Sequence, residues 1–331
     1  MIITKTPYRI SFFGGGSDYP SWYKKNGGAV LSSTIDKHIY ITCRFSPGYF
    51  KQKYRIVWRK IENVKKINEI NHKAVRYLLK HLNIKDGLEI HYYGDLPARS
   101  GMGSSSSFTV GLIQALFKIK NIKLTRAQLA KNSINFEQNI MREVVGSQDQ
   151  TSASYGGFNR ILFNKNNSIN VKRVSSKKNI KKLNENLILI YTGINRTAHK
   201  IANQYVSKLT TVKKEHISKI LNYVKEGERI LKHGNIDDFG RLLNDAWMEK
   251  KALSSLITNS KINDIYEDAI RFGALGGKLL GAGGGGFLLM YMRQSERKKF
   301  FKKNYKLINI PFKFTFSGSE IIFDQLKKDK K

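Results

Sequence analysis

The sequence predicts an α+β protein of two lobes, and three observations predict it. Short apolar or alternating runs that read as strands are mixed with long patterns of helical period. The chain of 331 residues is long enough for two domains, with 40% apolar and 11% aromatic residues to build their cores. Residues 164–186, rich in Lys, Asn and Ser with only scattered apolar positions, interrupt the pattern near the middle. The expected domains are therefore 1–183 and 184–331.

Taken in order, Tyr8 to Phe13 is a short strand, and Ala29 to Ile35 and His38 to Phe45 read as β. Tyr54 to Ile67 reads poorly, as a strand and a connection, and Leu88 to Tyr93 alternates as a strand. Phe108, Val110, Leu112, Ile113, Leu116 and Phe117 supply the buried side of a helix. Ala127 to Met141 reads as a helix that carries Glu137, closed by a turn at Gly146–Asp149. Leu187 to Tyr191 restarts as a buried strand ended by Thr192-Gly193. Helical patterns follow at 197–209, 213–232 and 236–251, and one near 261–273 leads to a glycine-rich strand. Lys313 to Ser317 reads as a closing strand, and no repeat of fixed period is present.

Fifty-nine Lys and Arg against 25 Asp and Glu give a formal net charge of +34. Such an excess attracts anions in general: nucleotides, sugar phosphates, nucleic acid, acidic membranes. The lysines are spread among Asn and Ile without an arginine-rich tail, which reads as a compositional habit rather than a specific nucleic-acid surface. Cys43 is the single cysteine, so no disulfide can form within the chain, and its run reads as a buried strand. Pro7 and Arg9 interrupt the opening run, so no signal segment is read there. No apolar stretch reaches eighteen residues. The expectation is a soluble, cytoplasmic protein with no membrane partner and an open oligomeric state, a homodimer included.

The richest stretch is Leu96 to Ser107, L-P-A-R-S-G-M-G-S-S-S-S, running into the helix that begins near Phe108. Gly101 and Gly103 permit positive φ or a close backbone approach. A glycine loop feeding a helix leaves aligned, unpaired N–H groups at the positive end of the dipole, which is an anion site. Adjacent hydroxyls can ligate a nucleotide's Mg²⁺. No lysine follows the glycines, so this is not a Walker-type loop. A plain serine-capped helix would look the same.

Three further motifs resolve that ambiguity. They are Pro7 to Tyr19 (P-Y-R-I-S-F-F-G-G-G-S-D-Y), Glu137 followed by G-S-Q-D-Q at 146–150, and Lys278 to Phe287 (K-L-L-G-A-G-G-G-G-F). Together with the serine loop, in this order, they resemble the signatures of the GHMP kinases, the galactokinase, homoserine kinase, mevalonate kinase and phosphomevalonate kinase superfamily. The resemblance implies a lobe like the second domain of ribosomal protein S5, a ferredoxin-like C-terminal lobe, and ATP and Mg²⁺ as cofactors. It implies that Pro97, Gly101, Met102, Gly103, Ser104, Ser105 and Ser106 wrap the ATP phosphates, and that Glu137 holds the metal with Ser104 or Ser105, the motif favouring Ser105. Asp149 would abstract or orient the proton of the sugar hydroxyl, and Arg9 would stabilise the ionised Asp149 and the developing charge. Asp18 would receive sugar hydroxyls, with Gly15, Gly16 and Ser17 beside it. The run at 281 and 283–286 would be a tight turn bringing the C-terminal lobe to the substrate and the phosphate loop, with Gly283 and Gly284 at the substrate.

Taken alone, these residues keep plainer readings. Glu137 would be a solvated helical glutamate, Asp149 a cap and Arg9 a surface ion pair. Gly15 and Gly16 replace the acid and histidine usual in galactokinases. The run F-F-G-G-G-S-D-Y-P, with G-G-A-V-L-S-S-T-I-D-K and Y-T-G-I-N-R-T-A, resembles the D-glycero-D-manno-heptose 7-phosphate kinases. That resemblance implies phosphorylation of the anomeric 1-hydroxyl, in nucleotide-activated heptose synthesis for surface polysaccharide. Fucokinase-type enzymes are the alternative. A substrate with its own phosphate needs a cationic clamp far from Asp149. Arg196, after the Thr192-Gly193 turn and at a helix start, is the candidate, with a solvent-facing arginine as the plain reading. A basic RNA-binding protein with an S5-like fold is the reading from another class. No RNP aromatic signature supports it, and Glu137 and Asp149 would put acid against the RNA.

Overall fold

The structure, a computed structural model, describes residues 1–194, 206, 209 and 213–326. The first elements are β1 (Ile2–Phe13), α1 (Pro20–Asn26), β2 (Gly28–Phe45), β3 (Tyr54–Val57), β4 (Ile61–Val64), α2 (Lys73–His81) and β5 (Leu88–Gly94). Then come α3 (Ser104–Ile119), α4 (Arg126–Asn135), α5 (Gln148–Tyr155), β6 (Phe158–Phe163), β7 (Ile169–Arg173) and α6 (Lys177–Asn186). The chain continues with β8 (Leu187–Tyr191), α7 (Lys214–His233), α8 (Ile236–Lys251), α9 (Ser260–Arg271), β9 (Gly276–Leu279) and β10 (Phe287–Tyr291). It ends in α10 (Gln294–Lys303), β11 (Ile308–Asn309), β12 (Phe314–Thr315) and β13 (Glu320–Asp324).

A nine-stranded sheet runs β13-β1-β2-β5-β3-β4, with β12 and β6 also on β2 and β7 on β6. A four-stranded antiparallel sheet runs β11-β8-β10-β9. The two expected strands at 29–35 and 38–45 are one strand, because β2 changes partner along its length. Residues 28–33 pair with β6 and 39–45 with β5. The poorly read stretch from Tyr54 is the β3–β4 hairpin.

The polar stretch 164–186 holds β7 and α6, and α6 buries only Ile180 and Leu183, so a thin apolar stripe suffices. The chain after 184 does not stay with the second sheet. β12 pairs with β2 and β13 with β1, so the tail returns to the first sheet.

Contacts between the lobes are close. Phe12 of β1 stacks on Phe158 and meets Phe239 of α8 edge-on, with centroids 5.2 and 5.3 Å apart. Gly227 of α7 lies so close to Phe13 that a Cβ there would come within 2.6 Å of its ring. On the other face of the sheet, α3 lies against β1 at Gly111, whose carbonyl accepts from the Thr4 hydroxyl at 3.1 Å. These contacts fix the N-terminus of α3, and the loop before it, over the middle of β1. The expected helix at 197–209 falls outside the described residues, apart from 206 and 209.

Candidate active site

A cavity of about 380 Å³ opens between the lobes. Arg9, Asp18, Asp149 and the serine loop line it from one side, and Lys250, Lys278 and Gly281 from the other.

Arg9 owes its position to an irregular strand. Pro7 cannot donate to the ladder, and the β1–β2 register shifts between Pro7 and Arg9. The Arg9 N–H donates to the Met102 carbonyl at 3.1 Å instead. Its guanidinium then grips Asp149 with two bonds, Nε to Oδ1 at 2.6 Å and Nη2 to Oδ2 at 2.7 Å. Nη1 donates to the Gly101 carbonyl at 2.6 Å, so one side chain ties the catalytic candidate to the phosphate-loop candidate. Asp149 was expected on a turn outside a helix, but it lies in the first turn of α5, where the helix dipole favours a carboxylate.

Asp18 is 1% exposed. It accepts from the backbone N–H groups of Gly16 (3.0 Å) and Gln148 (3.2 Å). Gly146 packs directly on it, since a Cβ there would sit 1.9 Å from Asp18 Oδ2. Burial, reinforced by the charge of Asp149, raises its pKa to about 6. Gly15 and Gly16 line the same end of the cavity, and the Gln148 side chain reaches back to accept from the Ser11 hydroxyl at 2.6 Å. Gln148 carried no signal of its own in the sequence beyond standing next to Asp149.

The serine loop meets its expected form at Gly103, the N-cap of α3, which is left-handed at φ 76°. Helix geometry leaves the N–H groups of Ser104, Ser105 and Ser106 untaken, and all three residues line the cavity. Glu137 lies behind them. The expected helix through Met141 gives way at Phe136–Ile140 to a π-turn, closed by the Met141 N–H on the Phe136 carbonyl. One extra residue in the turn re-aims the side chains, and Glu137 points inward, 2% exposed. Ser106 donates to Glu137 Oε2 at 2.8 Å, whereas Ser105 is exposed on the cavity wall. Gln150 donates to the same Oε2. Oε1 is buried with no partner among the described residues, and burial raises the pKa of Glu137 to about 7. A buried carboxylate with an orphaned oxygen and a hydroxyl beside it fits a divalent cation.

The other expected residues sort by what they touch. Gly281, at φ 71°, packs backbone to backbone on Gly101; a Cβ on it would lie 2.5 Å from the Gly101 Cα. Gly283 lines the cavity. Gly284 does not, because its N–H is given to the Ile257 carbonyl at 2.8 Å. Ser17 braces its own turn, its hydroxyl facing the carbonyls of Gly14 (2.7 Å) and Ala29 (3.0 Å). The Met102 side chain is in the core, so only its backbone belongs to the loop. Pro97 is exposed and away from the cavity. Arg196 lies outside the described residues. Lys250 and Lys278 line the cavity without having been assigned a role from the sequence. Cys43 is buried in β2 with its pKa pushed up to about 12, far from a nucleophile's state.

The family models for the GHMP kinases N terminal domain and the GHMP kinases C terminal domain match residues 68–157 and 228–306. The chain belongs to the GHMP kinases. The matched spans hold the serine loop, Glu137 and Asp149 in the first and Lys250, Lys278 and the glycine run in the second, so the cavity lies where this kinase family's two domains meet. The D-glycero-alpha-D-manno-heptose 7-phosphate kinase of Campylobacter jejuni is 28% identical over 312 residues, covering 91% of this chain and 92% of that protein. The bifunctional fucokinase/GDP-fucose pyrophosphorylase of Arabidopsis thaliana is 26% identical over 317 residues, 88% of this chain but 30% of that protein. Among solved structures, a D-glycero-D-manno-heptose 1-phosphate kinase from Bacteroides thetaiotaomicron superposes with a TM-score of 0.79 at 21% identity, covering 98% of this kinase and all of that chain. Galactose-bound galactokinase from Lactococcus lactis gives 0.70 at 19%, covering 96% and 94%. At those identities the structures establish the fold. Among the described residues, no helix of the kinase is long and apolar enough to cross a membrane.

Proposed function

We propose that this kinase transfers the γ-phosphoryl group of ATP to the anomeric 1-hydroxyl of D-glycero-D-manno-heptose 7-phosphate, giving the 1,7-bisphosphate. One observation carries the catalytic reading. Asp149 stands at the cavity wall with both oxygens fixed by Arg9, while the same guanidinium reaches the loop that would hold the phosphates. Phosphoryl transfer asks little covalent chemistry of the protein and much positioning and charge cancellation. Asp149 would accept the proton of the sugar hydroxyl as its oxygen attacks phosphorus, and Arg9 would hold the carboxylate in line. Asp18, with Gly15 and Gly16, would receive the sugar's other hydroxyls. The N–H groups of Ser104 to Ser106 would cradle the phosphates. Glu137, with Ser105 or Ser106, would hold Mg²⁺, whose contribution is to neutralise phosphate charge.

The choice of heptose phosphate rests on the resemblance of the motifs around Asp18 and on the Campylobacter relative. A coupled ADP-release assay against heptose 7-phosphate, mannose, fucose and galactose tests it. The highest kcat/KM is expected for the heptose phosphate; fucose in first place would move the kinase to the fucokinase type. Asp149→Asn should bind ATP nearly as the parent does and lose most turnover. Turnover kept within about tenfold, roughly 1.4 kcal/mol of barrier, would remove Asp149 from the chemistry.

A further inference from the structure

The C-terminal wall of the cavity carries two ammonium groups with no carboxylate partner among the described residues. Lys250 lies in the last turn of α8 and Lys278 stands in β9. Lys278 is 6% exposed, and its Nζ donates to the Phe12 carbonyl at 2.5 Å. Lys250 is half-buried and donates from Nζ to the carbonyls of Leu279 (2.8 Å) and Gly281 (2.7 Å). Among the described residues, neither has a carboxylate within ion-pair distance. Asp149 gives both its oxygens to Arg9.

Backbone carbonyls orient an ammonium group but do not cancel its charge, and a buried cation beside a half-buried one, with no counter-charge, is costly. The same burial bears on their acidity. Burial and the charge of Arg9 bring Lys278 down to about 7, and burial with the charges of Lys278 and Arg9 brings Lys250 well below its ordinary value. An ammonium has three donors. Lys250 spends two on carbonyls and Lys278 one, so three remain, matching the three peripheral oxygens of a phosphoryl group that also brings the missing negative charge.

We infer that Lys250 and Lys278 together form a phosphoryl-binding subsite on the C-terminal wall of the cavity, across from the serine loop. The inference deepens the sugar-phosphate kinase reading and rests on it for the identity of the phosphate. Two sources share this chemistry: the γ-phosphoryl group in transfer and the phosphate the sugar already carries. Gly281, whose carbonyl holds Lys250, packs on Gly101 of the serine loop, and both lysines feel the charge of Arg9, which places the pair near the transfer.

Lys250→Met and Lys278→Met test it, and since each removes an uncompensated cation, neither should lower the melting temperature of the ligand-free protein. Inorganic phosphate and tripolyphosphate, titrated by thermal shift, should bind each variant about tenfold or more weakly, the loss expected of a charged hydrogen-bonding contact. If the γ-phosphoryl is the ligand, kcat falls about 100-fold while KM for heptose 7-phosphate stays within twofold. If the sugar's phosphate is the ligand, that KM rises about tenfold or more while turnover of the unphosphorylated heptose is unchanged. Should a variant fail to fold, reductive methylation of the parent protein read by mass spectrometry replaces it, with phosphate expected to protect Lys250. Phosphate binding within twofold of the parent in both variants, or no protection, overturns the subsite. A parent protein that turns over no sugar would sink the substrate reading while leaving the phosphate titration to judge the lysines.

Discussion

Asp18 shows how a residue can be legible in type and illegible in state. Its place in the glycine motif marked it as a sugar ligand, but its raised pKa comes from burial and from the charge of Asp149, and the fold brings both Asp149 and the covering Gly146 to it from more than a hundred positions away. Folded, it titrates near 6 instead of 3.8. Between those values the native state holds more protons than the unfolded chain, so stability declines as pH rises through that window. The whole effect is on the order of 3 kcal/mol. Asp18→Asn removes it at the cost of one acceptor, a cost that does not vary with pH. The melting-temperature difference between variant and parent should therefore shift in the variant's favour from pH 4 to pH 8, with the sugar's KM raised throughout. A pH-independent difference would mean that Asp18 is not held protonated by burial. Lys250 and Lys278 illustrate the opposite case. Lysine is the commonest charge in this chain, and only the tertiary fold separates the buried Lys278 and half-buried Lys250 from the solvated rest.

At the scale of elements, period and caps were readable where the apolar stripe is dense. Residues 236–251 are a helix over the span their periodicity predicts, begun by Asn235, whose side chain accepts from the Asp237 N–H. Where the stripe thins, as in α6, or where the turn changes type, as at Phe136, local pattern carries no signal. The serine run marks the limit of local pattern. Four identical residues give no hint of which faces the acid, and the π-turn under Glu137 settles it in favour of Ser106. Glu137→Gln and Ser106→Ala are expected to share a phenotype: about tenfold more Mg²⁺ for half-maximal rate, partly rescued by added Mg²⁺, with unchanged sugar KM. Ser105→Ala should need a smaller increase. A stronger Mg²⁺ effect from Ser105→Ala than from Ser106→Ala would restore the pairing inferred from the motif.

The two-lobed architecture was visible in the alternation of strands and helices, but the path of the tail was not. β12 and β13 are short, and only their pairing with β2 and β1 identifies them as parts of the first sheet. That return, with Phe12 against Phe239, clamps one lobe to the other, and at the cavity the serine loop crosses the C-terminal glycine run backbone to backbone, Gly101 against Gly281 beside Ser100 against Gly286. Both glycines are at positive φ, 80° and 71°, so alanine at either is strained by about 1 kcal/mol even before steric contact. Because each Cβ would enter the other's backbone, the lobes must part. Displacements near 1 Å between a phosphate cradle and an acceptor cost on the order of 100-fold in rate. Gly281→Ala should thus lower kcat/KM by about that factor for ATP and sugar together, with a melting temperature only a few degrees lower. This differs from Asp149→Asn, which spares ATP binding. Gly101→Ala should do the same, and the double variant should be little worse than either single one, since both break one crossing. Additive losses in the double-mutant cycle would mean that the glycines act separately and that the crossing does not set the width of the cleft.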